Sequence, residues 1–308
     1  MNTEASAGRP LPTSIPEYLA QLRQALAGAD PAMIQDAMYD AEEYLRSELA
    51  EQAGRSEAEV IAAVAGSYGA PEEVADIYRQ TEVTVTRALR PPLPPRRQSV
   101  LGKFFGVAAD PRTYGALFYM LLSLATGIFY FTWVVTGASL SLALLVLIIG
   151  VPLLVLFLGS TRLLALVEGR IVEALLGVRM PRRPVYTERE RPWLARIGAI
   201  FTDPRTWSTL LYFLLMLPLG IAYFTIAVTL LSISIAFILS PLSLLGSHVF
   251  GFWHDDVDLL ATMPALAVLT PIAGVILLFA TLHLVRGIGH LHGLLAKQLL
   301  VQLGESRA

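Results

Sequence analysis

The chain has 308 residues, of which 55% are hydrophobic and only 16% charged, with a formal net charge of −2. So apolar and charge-poor a composition lies outside the soluble norm and points to a membrane protein. The absence of cysteine excludes disulfides, thiol catalysis and thiolate metal sites.

The first stretch, residues 1–13, is polar, contains Pro and Gly without periodicity, and is expected to be a disordered tail with no cleaved signal peptide. Residues 14–81 read as a small helical bundle. Tyr18, Leu19, Leu22 and Leu26 share one helix face that ends near Gly28. Asp30 and Pro31 open a second helix with the stripe Ile34, Met38, Ala41, Leu45 and Leu49, closed by Gly54. Ser56 and Glu59 form a capping-box pattern ahead of Val60, Ile61 and Val64. Pro71 opens a fourth helix with Val74, Ile77 and Tyr78 on one face. The second helix is acidic. Its Asp36, Asp40 and Glu43 are read either as a solvated face or as a surface for docking a partner.

This head resembles the HAAS family of helical signalling domains through YLAQLRQAL at 18–26, DAEEYL at 40–45, GRSEAEVI at 54–61 and GAPEEVADIY at 69–78. The resemblance implies a cytosolic interaction domain without enzymatic activity, of a kind partnered with PadR-like transcription regulators. Residues 82–103 then form a linker whose PPLPPRRQ at 91–98 cannot be helical and reads as a stiff spacer.

The membrane region begins with a motif that the chain writes twice. DPRTYGALFYMLLSLATGIFYF at 110–131 returns as DPRTWSTLLYFLLMLPLGIAYF at 203–224, with 13 of 22 positions identical. This is an internal repeat, and it divides the region into 104–181 and 200–308 around a basic loop at 182–199. Asp110 and Asp203 suit helix N-caps, followed by Pro at the first helical position. Arg112 and Arg205 are then expected to stay at the headgroup level, so that these four residues act as membrane anchors.

No charged residue occurs from Thr113 to Thr161. Those 49 residues would make more than about 70 Å of helix, enough for two crossings of a ~30 Å hydrocarbon core. Gly137–Ser141 (GASLS) is the expected outer turn, between spans at about 114–136 and 141–161. An amphipathic helix at 162–177 would follow, with Arg162, Glu168, Arg170 and Glu173 on its wet side. No carboxylate falls within spans drawn this way.

In the second copy SISIA at 232–236 keeps the 93-residue offset from SLSLA at 139–143. HGLLAKQLL at 292–300 aligns with EGRIVEALL at 168–176 at an offset of 124. The extra residues are placed in an outer excursion at about 241–264, before a fourth span at about 264–285. Within that excursion His254, Asp255, Asp256 and Asp258, with His248 nearby, are candidates for a divalent cation; a solvated acidic loop is the simpler reading, and no metal site is assigned. His283 and His290, seven residues apart on one face, are read with His292 as interfacial packing residues. Gly127 and Gly220 are expected to permit close helix approach.

All 23 Lys and Arg residues fall in 1–112, 162–205 or 286–308. That asymmetry predicts both termini on the cytoplasmic side. The basic loop carries no recognition motif, so direct nucleic-acid binding is not expected.

The two-copy region resembles the "Putative sensor" family of bacterial membrane sensors through DPRTY, Gly127-x-x-Tyr130, LVLIIGVPLLVL at 145–156, LVEGRIVEALLGVRMP at 166–181, DPRTW, LPLGIAYF and LHLVRGIGHLHGLLAKQLL. The expected protein is therefore all-α, a small cytosolic bundle followed by four spans in two tandem two-span repeats. The expected function is that of a non-enzymatic bacterial inner-membrane sensor or regulator, without cofactor, with the lipid bilayer and a cytosolic signalling or transcription-regulator protein as partners. A homo-oligomer is compatible with this reading. A small transporter subunit or lipid-handling protein is the alternative, disfavoured by the lack of an ionisable residue in the spans.

Overall fold

The computed structural model describes residues 11–52, 54–89, 99–147, 149–182, 198, 202–250 and 263–301, and its regular elements are all helical. The helices are α1 Ile15–Ala25, α2 Pro31–Glu51, α3 Glu57–Ser67, α4 Pro71–Leu89, α5 Val100–Gly106, α6 Pro111–Leu144, α7 Gly150–Leu176, α8 Pro204–Phe250 and α9 Pro264–Leu300. They fall into two compact units, one of residues 1–93 with 179–202 and 301–308, the other of 94–178 with 203–300.

The first unit is built as its caps dictate. Ser14 and Asp30 accept the first-turn amides of Glu17 and Ala32, with Pro in the first turn of each helix. Ser56 and Glu59 close a reciprocal capping box at the start of α3. The Ser56 hydrogen bonds hold the Glu59 carboxyl below its ordinary value. Gly28, Gly54 and Gly69 take positive φ at the ends of α1, α2 and α3. The core gathers Tyr18, Leu22 and Leu26 of α1, Met33, Ala37, Ala41 and Leu45 of α2, Val60, Ile61 and Val64 of α3, and Val74 and Ala75 of α4. Two details differ from the sequence-based stripes. Leu19, Ile34, Met38, Leu49 and Tyr78 only flank the core, and Ile77 is exposed while Ala75 takes its place. The fully buried Tyr18 donates to the Gly69 carbonyl at 2.8 Å, and burial raises its phenol above the ordinary value.

In the second unit four helices are long and apolar enough to cross a membrane, at Pro111–Leu147, Gly150–Leu176, Pro204–Leu242 and Ala265–Leu300. The unit is apolar on its outside: Phe118, Phe129, Trp133, Leu156, Trp207, Ile276 and many like them are exposed. Inside, Thr113, Ser123, Thr161, Glu168, Thr209 and His292 are buried. That inversion suits a hydrocarbon solvent and makes this a multi-pass membrane protein.

The hairpin turn lies elsewhere than the sequence suggests. α6 continues through Gly137–Ser141, and the chain reverses through a short 3₁₀ turn at Leu145–Leu147 that leads into Gly150. Gly137 sits beneath the Phe157 ring, with no room for a side chain, and Ser141 is buried, so the small residues seat α7 against α6 instead of breaking α6. The turn itself needs Gly150, because the backbone of Leu144 and Leu145 occupies the place of its Cβ. α7 is one continuous helix from Gly150 to Leu176, so the second span does run on into the residues read as its amphipathic extension, and the span-length helix includes them.

The two repeats cross symmetrically. A Cβ at Gly127 of α6 would meet the Met216 carbonyl of α8, and one at Gly220 of α8 would meet the Ser123 carbonyl of α6. Met216 and Ser123 are themselves 93 residues apart, so the contact maps onto itself when the repeats are exchanged. The pairings Ser123–Gly220, Gly127–Met216 and Tyr130–Phe213 run in opposite directions along the two helices, so α6 and α8 pack antiparallel and the axis relating the repeats lies across them.

Candidate functional site

The starts of α6 and α8 each carry one half of a paired latch. Asp110 caps α6 by accepting the Arg112 amide at 3.0 Å, and its other oxygen meets Arg286 of α9 at 3.0 Å. Asp203 caps α8 in the same way through the Arg205 amide, and its other oxygen meets Arg162 of α7 at 3.1 Å. Arg162 and Arg286 are 124 residues apart, the offset at which the repeats align there. Each repeat thus supplies the acid for the other's arginine. Asp110 and Asp203 combine capping with these cross-repeat ion pairs, while the Arg112 side chain is exposed at the start of its span.

Between the spans lies a cluster that sequence reasoning missed. Glu168 of α7 is 0% exposed, which corrects its assignment to a wet face and the statement that no carboxylate lies in a span. Its Oε1 accepts from Tyr119 at 2.7 Å and from Tyr212 at 2.9 Å, and its Oε2 accepts from Tyr130 at 3.0 Å. Across the cluster His292 of α9 is 1% exposed. Its Nε2 is 2.6 Å from the Tyr119 hydroxyl and 3.1 Å from that of Tyr212, and its Nδ1 is 3.3 Å from the Tyr223 hydroxyl.

This cluster obeys the same symmetry. Tyr119 and Tyr212 are equivalent positions of the two copies, and their hydroxyls lie 3.4 Å apart. Tyr130 and Tyr223 are likewise equivalent, one on Glu168 and the other on His292. Glu168 and His292 begin the aligned stretches EGRIVEALL and HGLLAKQLL. One structural position therefore carries an acid in the first repeat and a base in the second, bridged by the tyrosine pair. An ionisable residue among spans is costly unless it is paired, which makes this cluster the candidate site. Here every polar atom of the pair has a hydroxyl partner, and the chain of bonds runs from one hairpin into the other.

The remaining candidates are placed as follows. Asp36 is 6% exposed; it pairs with Arg179 at 3.2 Å and accepts the Arg182 amide at 2.6 Å, all within the first unit. Asp40 accepts from Tyr78 at 2.8 Å, and Glu43 is exposed on α2. His283 is exposed, stacks on Phe104 and has Nε2 3.0 Å from the Phe104 carbonyl oxygen; His290 is exposed. His254, Asp255, Asp256 and Asp258, the prolines at 91–98 and the loop arginines from Arg183 to Arg196 lie outside the described residues, as does the side chain of His248.

Neither the curated proteins nor the solved structures yield a match to this chain. Two family models do match. HAAS covers residues 17–76, the α1–α4 core of the head, and "Putative sensor" covers 119–300, from the first tyrosine of the cluster to the end of α9. With more than half its length matched by that second model, the chain belongs to the "Putative sensor" family and carries a HAAS domain at its head.

Proposed function

We propose that this membrane sensor or regulatory protein resides in a bacterial inner membrane with both termini in the cytoplasm, and that it transmits a membrane or envelope signal inward without enzymatic activity. The receiving element is the four-span unit, and the output is a change in what the HAAS head binds, with a PadR-like transcription regulator as the partner. The observation that carries this reading is the joining, in one chain, of a HAAS head to spans whose two repeats are clasped through a buried acid–base cluster. Such a cluster has two ways of being satisfied, which a two-state receiver requires. On the head, α2 is the docking element. Of the three candidate acids Glu43 is the exposed one, whereas Asp36 and Asp40 are held by Arg179, Arg182 and Tyr78.

The test is affinity capture with the full chain in lipid nanodiscs. A DNA-binding regulator should be recovered, and Glu43→Lys should abolish its recovery; capture unaffected by that change, or no regulator at all, contradicts the reading. Glu168 also revives a second reading. The spans do contain an ionisable pair, so the argument against a small transporter subunit that none was present no longer holds. Uptake or efflux coupled to protons in proteoliposomes, lost in Glu168→Gln, would favour that reading.

A further inference from the structure

The hydrogen-bond geometry of the cluster allows its protons to be counted. When Glu168 is ionised it is acceptor-only, and the hydroxyls of Tyr119, Tyr130 and Tyr212 all donate to it. Tyr119 and Tyr212 have then used their only protons, so their contacts with His292 Nε2 require a hydrogen on that nitrogen. Nδ1 remains free to go either way. It accepts from Tyr223 when His292 is neutral, and it donates to the Tyr223 oxygen when His292 is an imidazolium. The network is therefore complete with and without one extra proton, and only the Tyr223 bond reverses.

A third arrangement is also satisfied. If Glu168 holds the proton, its Oε1–H donates to Tyr119, Tyr119 donates to Nε2, and Nδ1–H donates to Tyr223. Passing one proton from Glu168 to Tyr119 while Tyr119 releases its own to Nε2 converts this neutral arrangement into carboxylate plus imidazolium, with no other reactant.

The groups facing the cluster from each packed element are Tyr119 and Tyr130 from α6, Glu168 from α7, Tyr212 and Tyr223 from α8, and His292 from α9. The nearest arginine along α7, Arg170, pairs with Glu173, and Arg162 and Arg286 are committed to Asp203 and Asp110. No lysine or arginine side chain bonds to the cluster among the described residues, so the charge of Glu168 is balanced by a proton on His292 or by nothing.

We propose that the stimulus received by the spans is the proton, and that Glu168, Tyr119, Tyr212 and His292 form a proton-binding clasp between the two hairpins. This deepens the sensor reading and rests on it. With the proton bound, carboxylate and imidazolium compensate one another and the hairpins are held together. With the proton lost, an uncompensated carboxylate remains buried among the spans, which favours a looser packing that hydrates it. Because acid and base belong to different repeats, one protonation event is felt by both hairpins at once.

The experiment uses the full chain, whose lack of cysteine permits clean labelling. Leu140→Cys and Ile233→Cys place spin labels at equivalent exposed positions of α6 and α8. Electron–electron distance measurements in nanodiscs are then scanned from about pH 4 to 8, the range that brackets histidine and carboxylate chemistry. The clasp predicts two distance populations, the longer gaining with pH, their ratio changing by up to about tenfold per pH unit for a single proton. His292→Gln and, separately, Glu168→Gln should remove the pH dependence, while Tyr223→Phe, which only removes the reversible bond, should shift its midpoint. Distances unchanged across the scan in the unsubstituted span unit, or a pH response that survives in both His292→Gln and Glu168→Gln, overturn the proposal. Regulator capture by the head alongside a flat scan would leave the sensor reading standing and remove the proton as its stimulus.

Discussion

Each hydroxyl on Glu168 satisfies a lone pair of a fully buried carboxylate. Tyr119→Phe removes a bond to Glu168 and one to His292, and should cost about 1–3 kcal/mol in a denaturant titration of the micelle-bound protein. Tyr223→Phe, at the half-buried end of a 3.3 Å contact, should cost less. Equal losses from the two would contradict the assigned network. In the head, Ser56→Ala should cost about 1 kcal/mol, read as faster amide exchange at the start of α3. The sign of the pH effect there is fixed by Glu59, whose carboxyl is held low by the Ser56 bonds. Its contribution is present above the ordinary glutamate value and is lost as pH falls through the lower folded value. Protection factors at Glu57–Val60, which divide out the intrinsic pH dependence of amide exchange, should therefore fall on acidification, and no longer do so once Glu59→Gln is made.

Among the helices, the α6–α8 crossing rests on two glycines. Gly127→Leu or Gly220→Leu drives a side chain into backbone of the opposite repeat, which cannot yield as a flexible side chain would. Either change should cost about 1–3 kcal/mol or more in the same titration. Gly159→Ala, which meets open space, is the matched control and should be nearly silent. The existence of these elements was legible in sequence because caps, prolines and an uncharged run are local signals. DPRTY and DPRTW announced both span starts, and Ser56 with Glu59 announced α3. The position of the hairpin turn was not legible. GASLS has the composition of a loop, and only the Phe157 ring lying over Gly137 shows that its small residues serve packing. Glu168 was misassigned for a related reason: its neighbours Arg170 and Glu173 pair on the exposed side at 2.7 Å and lent it their polarity. The usable signal was the repeat itself. Two tyrosines recur in otherwise apolar spans at 119 and 212 and again at 130 and 223, and the carboxylate and imidazole open aligned segments.

At the level of the whole molecule, duplication gives the membrane unit a near-symmetric frame, and divergence at a single position gives it chemistry. An acid facing an acid there would repel, and a base facing a base would do the same; one of each is the pairing that a low-dielectric interior tolerates. The proposed cytoplasmic placement of both termini rests on charge: all 23 Lys and Arg residues fall in 1–112, 162–205 or 286–308. Single cysteines at Arg23 and at Gln298 should therefore react with a membrane-impermeant thiol reagent only after cells are permeabilised. Labelling of either in intact cells would contradict the proposed orientation.

The central claim is that Glu168 and His292 act as one unit across the two repeats. A double-mutant cycle with Glu168→Gln and His292→Gln, measured on the full protein, tests it most directly. A shared network predicts that the double variant departs from the sum of the singles by about 0.5–3 kcal/mol. Single effects that add to within about 0.3–0.5 kcal/mol would show that the two residues are independent, and would contradict the account.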